Sequence, residues 1–473
     1  MKRVIILLGL LIILLSGCSK TANMPAFYGE FCNAQRTSYK DVNGLKETPD
    51  KVVWKYNFPE GSGNEALLLT TNAPTIEGNR VYCVSGGVIT VLNFKTGKEI
   101  WKRDYSKPSS QGRLSNFDSF FYNSPVIYGN KIVILGGYSA REFLLVIDKN
   151  TGEPIWKSKI IGGASTEPCS QHPLVMNGRI YLAATNVEGY RKNGKKEAGI
   201  WVWNINTGKV IDKIFLEPIA EPIVGKYRSI SPAHTSLAEY GANIYGVSRF
   251  TNDSTHKAYI FCYDTSRKKF TWFVPIEEGD VDDPGQIIRI AVNKNFVAVS
   301  MVGNQWMSKE PQFLIEVFDR ISHKLLWRNV SKTIEKVNPV FSIGMFAIHN
   351  DKLYAMLFDK RFVCFDMKTG SEVWSFKDKD WQSKWWNEWN GYKNCFNEQD
   401  VVTTKDVVYF NASNAIYALA PGSGKLLWRK VVQKGNIFIN IMPIDSGLIV
   451  RYQDIQVGYD TPQNPVTCEC WGR

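Results

Sequence analysis

The chain has 473 residues, 13% of them aromatic and 15 of them Trp, with 57 Lys and Arg against 45 Asp and Glu for a formal net charge of +12. A composition this apolar and aromatic excludes a largely disordered chain. The positive balance suits anionic surfaces, yet no Lys/Arg stripe is present and the chain opens on an export signal, so nucleic acid is not expected as a partner.

Lys2 and Arg3 precede an apolar run from Val4 to Leu15, which is too short to span a bilayer. Leu15-Ser16-Gly17-Cys18 follows. These four residues resemble the bacterial lipobox. The resemblance implies cleavage before Cys18, a diacylglycerol on its thiol and acylation, as by palmitate, of the new amino group. Several acyl chains on one residue hold a protein durably on a membrane. Ser19 in place of Asp favours the outer membrane. Residues 1–17 are therefore expected to be a lipoprotein signal peptide and 18–49 a lipidated tether. Phe27, Tyr28, Phe31 and Tyr39 are its candidates for docking onto the body that follows.

From residue 50 onward a repeat organises the chain. Asn93 to Trp101, Asp148 to Trp156, Asn204 to Asp212, Asp264 to Trp272, Asp319 to Trp327, Asp366 to Trp374 and Ala420 to Trp428 share one spacing. Asp or Asn stands four residues before a Gly, and Trp stands four after it. The exceptions are Asp212 for Trp, Lys268 and His323 for Gly, and Ala420 for Asp. The acidic or amide side chain bonds forward into the turn, and Gly supplies the positive φ of a tight hairpin. Trp then covers the neighbouring repeat. Apolar strands precede each motif, as at Val88 to Leu92, Phe143 to Ile147 and Phe362 to Phe365. Upstream of these lie further strand pairs, as at Pro125 to Ile134 and Pro173 to Leu182. Each unit thus has four strands, A to D, with the motif joining C to D.

Lys51 to Phe58 reads as a D strand without its own A, B and C. Phe438 to Pro443, Leu448 to Tyr452 and Ile455 to Tyr459 read as A, B and C without a D. The two sets are expected to complete one blade and to leave no open edge. The prediction is an all-β, eight-bladed β-propeller of four-stranded antiparallel blades over residues 50–473, with seven blades as the alternative. This pattern resembles the pyrroloquinoline-quinone-like (PQQ-like) propeller family, which takes in quinoprotein alcohol dehydrogenases and BamB-like outer-membrane assembly lipoproteins.

For an enzyme of that family the resemblance implies a quinone between a Trp and an adjacent Cys–Cys disulfide, a bound Ca²⁺ and an Asp base. The sequence has no adjacent Cys pair, and no calcium ligand or base is placed by motif. The five His (172, 234, 256, 323 and 349) form no nucleophile signature. The expectation is accordingly no enzyme, no catalytic residue, no cofactor and no metal. Cys83, Cys262 and Cys364 fall in strands and read as buried hydrophobes. Cys32, Cys169, Cys395, Cys468 and Cys470 read as loop or tail residues whose disulfide pairing stays open.

Binding remains. The D–A and B–C connections share one face, and several are long: 104–123, 376–399 and 185–199, the last with Arg191-Lys192-Asn193-Gly194-Lys195-Lys196. Trp381, Trp385, Trp386, Trp389 and Tyr392 are the candidate partner-binding residues, read as an aromatic platform. The function expected is an outer-membrane-anchored scaffold, monomeric in isolation, that binds an envelope protein. The alternatives are a carbohydrate or polymer binder using the Trp-rich loop and a quinoprotein dehydrogenase.

Overall fold

The computed structural model describes residues 26–28, 32–33, 38–58, 73–105, 121, 123–137, 143–159, 172–184, 199–216, 229–232, 237–251, 256–276, 286–303, 312–332, 337–338, 346–357, 359–379, 387–389, 392–394, 401–412, 414–432, 437–454 and 466–472. Among these residues every regular element is a strand. They form eight blades, each an antiparallel sheet ordered A-B-C-D, as the repeat predicts.

Blade 1 consists of Thr75–Glu77, Arg80–Ser85, Val88–Asn93 and Glu99–Asp104. Blade 2 has Val126–Tyr128, Lys131–Gly136, Phe143–Asp148 and Pro154–Lys159. Blade 3 has Leu174–Met176, Arg179–Ala184, Gly199–Asn204 and Val210–Phe215. In blade 4 two short strands, Ser229–Pro232 and Ala238–Tyr240, both pair with Asn243–Thr251, followed by His256–Asp264 and Lys269–Pro275. Blade 5 has Gln286–Val292, Phe296–Gly303, Gln312–Asp319 and Leu325–Lys332. Blade 6 has Phe346–His349, Lys352–Met356, Phe362–Asp366 and Glu372–Phe376, and blade 7 has Val401–Thr403, Val408–Ala412, Ala415–Leu419 and Leu426–Val431.

Blade 8 closes the ring. Its A, B and C strands are Ile437–Ile444, Gly447–Asp454 and Thr467–Gly472, and its D strand is Lys51–Asn57. Trp54 lies opposite Cys470, and Tyr56 opposite Cys468. The closure expected from the sequence is present, with one correction. The C strand is Thr467–Gly472; the run from Ile455 to Tyr459 lies outside the described residues. Cys468 and Cys470 are therefore buried strand residues, not tail residues. All six residues of that strand are buried. With neither face wet, the strand carries no alternation to betray it. Cys83, Cys262 and Cys364 are buried in B and C strands, as expected.

Inner and outer edges differ. Neighbouring blades meet at their A strands, as blades 1 and 2, 6 and 7, and 7 and 8 do, so these strands line the axis. D strands alternate exposed and covered residues and form the rim. The core is a series of apolar seams between blades.

The repeat motif builds the outer part of each seam. In blade 1, Asn93 Oδ1 accepts from the backbone N–H of Lys95 (3.0 Å) and Thr96 (3.1 Å), and Gly97 N–H bonds back to Asn93 O at 2.8 Å. Trp54 of blade 8 lies on this turn and donates from Nε1 to Phe94 O at 2.7 Å. A Cβ on Gly97 would stand 2.7 Å from the Trp54 ring. The glycine thus meets two demands, a φ of +66° and room for an indole. The same bond recurs from Trp101 to Lys149 O, Trp156 to Ile205 O, Trp327 to Met367 O and Trp374 to Pro421 O, at 2.7–3.1 Å. Just before each Trp the C–D pairing slips by one residue, a β-bulge. It turns the preceding residue outward, as Val53, Ile100 and Ile155 show.

The exceptions in the repeat are exceptions in the seam. Asp212 replaces Trp in blade 3, and the residue facing it in blade 4 is Lys268, at the Gly position with φ 53°; the two form an ion pair at 4.0 Å. His323, at the Gly position of blade 5 with φ 64°, stacks on Trp272 with ring centroids 4.8 Å apart. Blade 8 has no C–D turn for Trp428 of blade 7. Leu45, just upstream of the closing strand, replaces it by accepting from Trp428 Nε1 at 2.6 Å.

Candidate functional site

The two ends of the ring are built from different material. A–B and C–D connections are tight turns, such as Gly129-Asn130 and Asn177-Gly178, and form one end. The B and D strands end at the other, where the long B–C and D–A connections leave them. At the loop end, two D–A connections are joined. Asn387–Trp389 and Tyr392–Asn394 form an antiparallel hairpin, and Val337–Asn338, from the connection between blades 5 and 6, adds to it in parallel.

The candidate residues fall on this feature in part. Trp389 and Tyr392 are directly paired across the hairpin. Trp381, Trp385 and Trp386 lie outside the described residues, as do Cys18, His234 and the basic run Arg191 to Lys196. The sequence read the whole stretch as loop. Asn390-Gly391 between two short runs was the signal for a hairpin.

The axis holds a second feature. Ala26–Phe27 adds a fifth strand to blade 2, antiparallel to its innermost strand, with Ala26 opposite Tyr128 and Phe27 opposite Ile127. It also touches the A strand of blade 1. Tyr28 is buried, its hydroxyl donating to Val175 O at 3.2 Å and accepting from Val175 N at 3.0 Å in blade 3. Since Tyr128 adjoins the A–B turn, the chain rises here from the turn end. Residues 38–40 run the opposite way, beside the A strand of blade 7. Tyr39 bridges Thr403 of blade 7 in parallel, through Lys40 N to Thr403 O (2.8 Å) and Thr403 N to Ser38 O (2.9 Å).

Charged and aromatic groups fix this second run. Arg289, on the A strand of blade 5, is 2% exposed; its Nη2 donates to Ser38 Oγ at 2.7 Å and its guanidinium lies 4.9 Å from the Phe346 ring centroid. Tyr39 stacks on His349 of blade 6 with centroids 4.2 Å apart. Burial and a hydrogen bond to Asp41 push the Tyr39 phenol up to about 12, and burial holds the His349 imidazole below its ordinary value. The pair therefore meets as two neutral rings at neutral pH. The chain then passes beneath blades 7 and 8. Gly44 N bonds Asp406 at 2.7 Å, Ser446 N bonds Asn43 O at 3.0 Å, Lys46 pairs with Asp406 at 2.8 Å, and Leu45 N bonds the Tyr409 hydroxyl. Of the aromatics expected to dock on the ring, Tyr28 and Tyr39 are seen packed against its blades. The pairing of residues 26–27 and of Tyr39 with A strands, and the part played by Arg289, had no sequence signal beyond isolated aromatics. His172, just before the A strand of blade 3, is buried.

A family profile described as outer membrane protein assembly factor BamB matches residues 44–214 and 311–435. The outer membrane protein assembly factor BamB of Salmonella typhimurium is 27% identical over 172 residues, 35% of this chain and 39% of that protein. The quinoprotein alcohol dehydrogenase PedH of Pseudomonas putida is 24% identical over 149 residues, 31% of this chain and 23% of that one. The alignments thus span well under half of these relatives' lengths. Among solved structures, BamB from Moraxella catarrhalis has a TM-score of 0.51 at 12% identity, covering 89% of this chain and 97% of that one. A europium-containing methanol dehydrogenase has a TM-score of 0.57 at 12% identity, covering 95% and 98%. At such identities the structural matches speak for the fold.

The dehydrogenases correct the expectation that the chain is no enzyme: enzymes stand among its relatives and fold neighbours, and catalysis belongs among the activities open to this ring. The particular quinone seat that the resemblance implied does not fit the residues present. No two cysteines are adjacent, and residues 26–28 and 38–40 lie against A strands that line the axis. The profile match takes in well over half of the chain, and with the PQQ-like repeat closing eight blades it makes the chain a member of the BamB family of propellers.

Proposed function

We propose that this chain is a lipid-anchored scaffold of the bacterial outer membrane that binds envelope proteins through its loop end, in the assembly of outer-membrane proteins. Family membership supports the role. The observation that carries the choice of surface is the small sheet joining two D–A connections: it ties Trp389 and Tyr392 into one body at the end not closed by tight turns. Trp381, Trp385 and Trp386 complete the proposed platform. Large aromatic rings at a rigid site supply contact area at little entropic cost.

The anchor proposed on Cys18 lies eight positions before Ala26. Ala26 sits at the turn end of the axis, and eight residues reach at most about 28 Å. The turn end then faces the membrane and the loop end faces away, toward partners. Incorporation of a palmitate analogue that is lost in Cys18→Ala tests the anchor. Pull-down of envelope proteins by the whole chain and by Trp385→Ala/Trp386→Ala tests the platform. Unchanged recovery with folding intact sinks it, and retention on glycan columns instead would favour the carbohydrate alternative. The relatives also support a dehydrogenase reading, tested by dye-linked alcohol oxidation with added quinone and Ca²⁺.

A further inference from the structure

Four cysteines from three distant parts of the sequence converge where the ring shuts. Cys83 lies on the B strand of blade 1, and Cys468 and Cys470 on the C strand of blade 8. All three belong to one apolar cluster with Trp54 and Phe58, and Cys32 packs against it from the axial segment. Among the described residues no group of three potential ligands has the geometry to hold a metal. One pair is in direct contact. The Cys468 and Cys83 thiols adjoin across the seam; both are free cysteines in this structure, and both residues are fully buried.

We propose that Cys83 and Cys468 form a disulfide that staples blade 8 to blade 1 in the exported protein. The seam they share is also held by packing, by the Trp54 indole bond, and by bonds from Arg451 Nη2 to Val84 O (3.3 Å) and from the Tyr56 hydroxyl to Glu99 (2.8 Å). A cross-link here closes a loop on the order of 400 residues and restricts the opened ring most, because loop-closure entropy grows with loop length. The chemistry is thiol–disulfide exchange. One thiolate attacks the disulfide of an oxidant, either a small-molecule disulfide or an envelope dithiol–disulfide protein, and expels one oxidant thiolate. The second cysteine thiolate then attacks the mixed disulfide. Two protons leave the cysteines, and two electrons reduce the oxidant to its dithiol form. Contact with Cys83 and burial hold the Cys468 thiol well above its ordinary range, so the shut ring is a poor reactant in either direction. Oxidation therefore accompanies closure, and the staple resists reduction afterwards.

The inference rests on the export reading for its oxidising compartment, and one experiment separates the two. The full chain is produced with its leader, thiols are blocked at lysis in denaturant without reductant, and tryptic peptides are mapped. Peptides 81–95 and 452–473 are expected as one linked species that separates on reduction. Cys470→Ser keeps the link and Cys468→Ser abolishes it. Recovery of both residues as blocked thiols, or a link from either to Cys32 or Cys470, overturns the staple. If no chain reaches the envelope the export reading fails, and the same map after refolding in a glutathione redox buffer decides the staple alone. Dithiothreitol is expected to lower the Tm of the wild-type and Cys169→Ala/Cys395→Ala chains by several degrees and to leave Cys83→Ala/Cys468→Ala unmoved. An equal drop in all three would also overturn it.

Discussion

The seam between blades 8 and 1 and the seam between blades 3 and 4 occupy equivalent places and are built from different chemistry. At the first, an indole lies flat on a glycine turn and donates to its backbone. At the second, a carboxylate meets a lysine with φ 53°. The turn itself therefore tolerates a side chain. Glycine is required where the Trp lies directly on the turn and bonds its carbonyl, because a Cβ would occupy the volume of the ring; where His323 takes the Gly position, Trp272 stacks on the imidazole instead. The position that lost its Trp is one that no longer keeps Gly.

The largest test of that contrast is Trp54→Ala. Removing a buried indole from the closing seam should cost about 3–5 kcal/mol, read as a lowered denaturant midpoint. Gly97→Ala comes next, at about 2–4 kcal/mol, since it combines a left-handed backbone with a Cβ 2.7 Å from Trp54. Gly78→Ala is its control. It has φ +55° and nothing within 4 Å of the added carbon, so about 1 kcal/mol is expected. Equal losses at 97 and 78 would mean that the backbone and not the Trp sets the demand.

Acid should act on the turns. Lys352 and the Thr369 N–H bring the Asp366 carboxyl down from 3.8 to about 2, and Ser322 holds Asp319 below its ordinary value. A carboxylate depressed by folding contributes stability above its unfolded pKa and loses it as pH falls toward the folded one. Tm should therefore drop between pH 4 and pH 2. Asp366→Asn, which matches the Asn93 and Asn204 of other blades, should fold and show a shallower drop. The smallest effect is expected from Asp212→Ala, within about 0.5 kcal/mol and reduced further by salt, because a largely exposed ion pair gains little over hydration. A larger loss there would make the two seams equals.

What the sequence disclosed follows the same physics. The C–D turns were legible because each position admits few residues: a side-chain acceptor, a glycine, a wide ring. The strand Thr467–Gly472 was not, because both its faces are covered and its one acid, Glu469, is held by Tyr452, Trp471 and Lys55 rather than by water. The axial segment was legible only as aromatics in a polar stretch. Ser38 and Lys40 hold Thr403 through backbone atoms that any sequence carries. Of the candidate site, composition located the Trp-rich connection, but the partner that organises its backbone, Val337–Asn338, comes from another blade junction and has no local trace.

Closure by Lys51–Asn57 also bears on how such a protein goes wrong. Thr467 Oγ1 bonds Asn57 Oδ1 at 3.1 Å across 410 positions of chain, so this ladder depends on the slowest kind of encounter. An unshut molecule offers that strand to the C strand of any copy nearby, and the geometry is satisfied either way. Refolded at high concentration, the chain should give strand-exchanged dimers and longer linked species, each made of rings locally identical to the monomer.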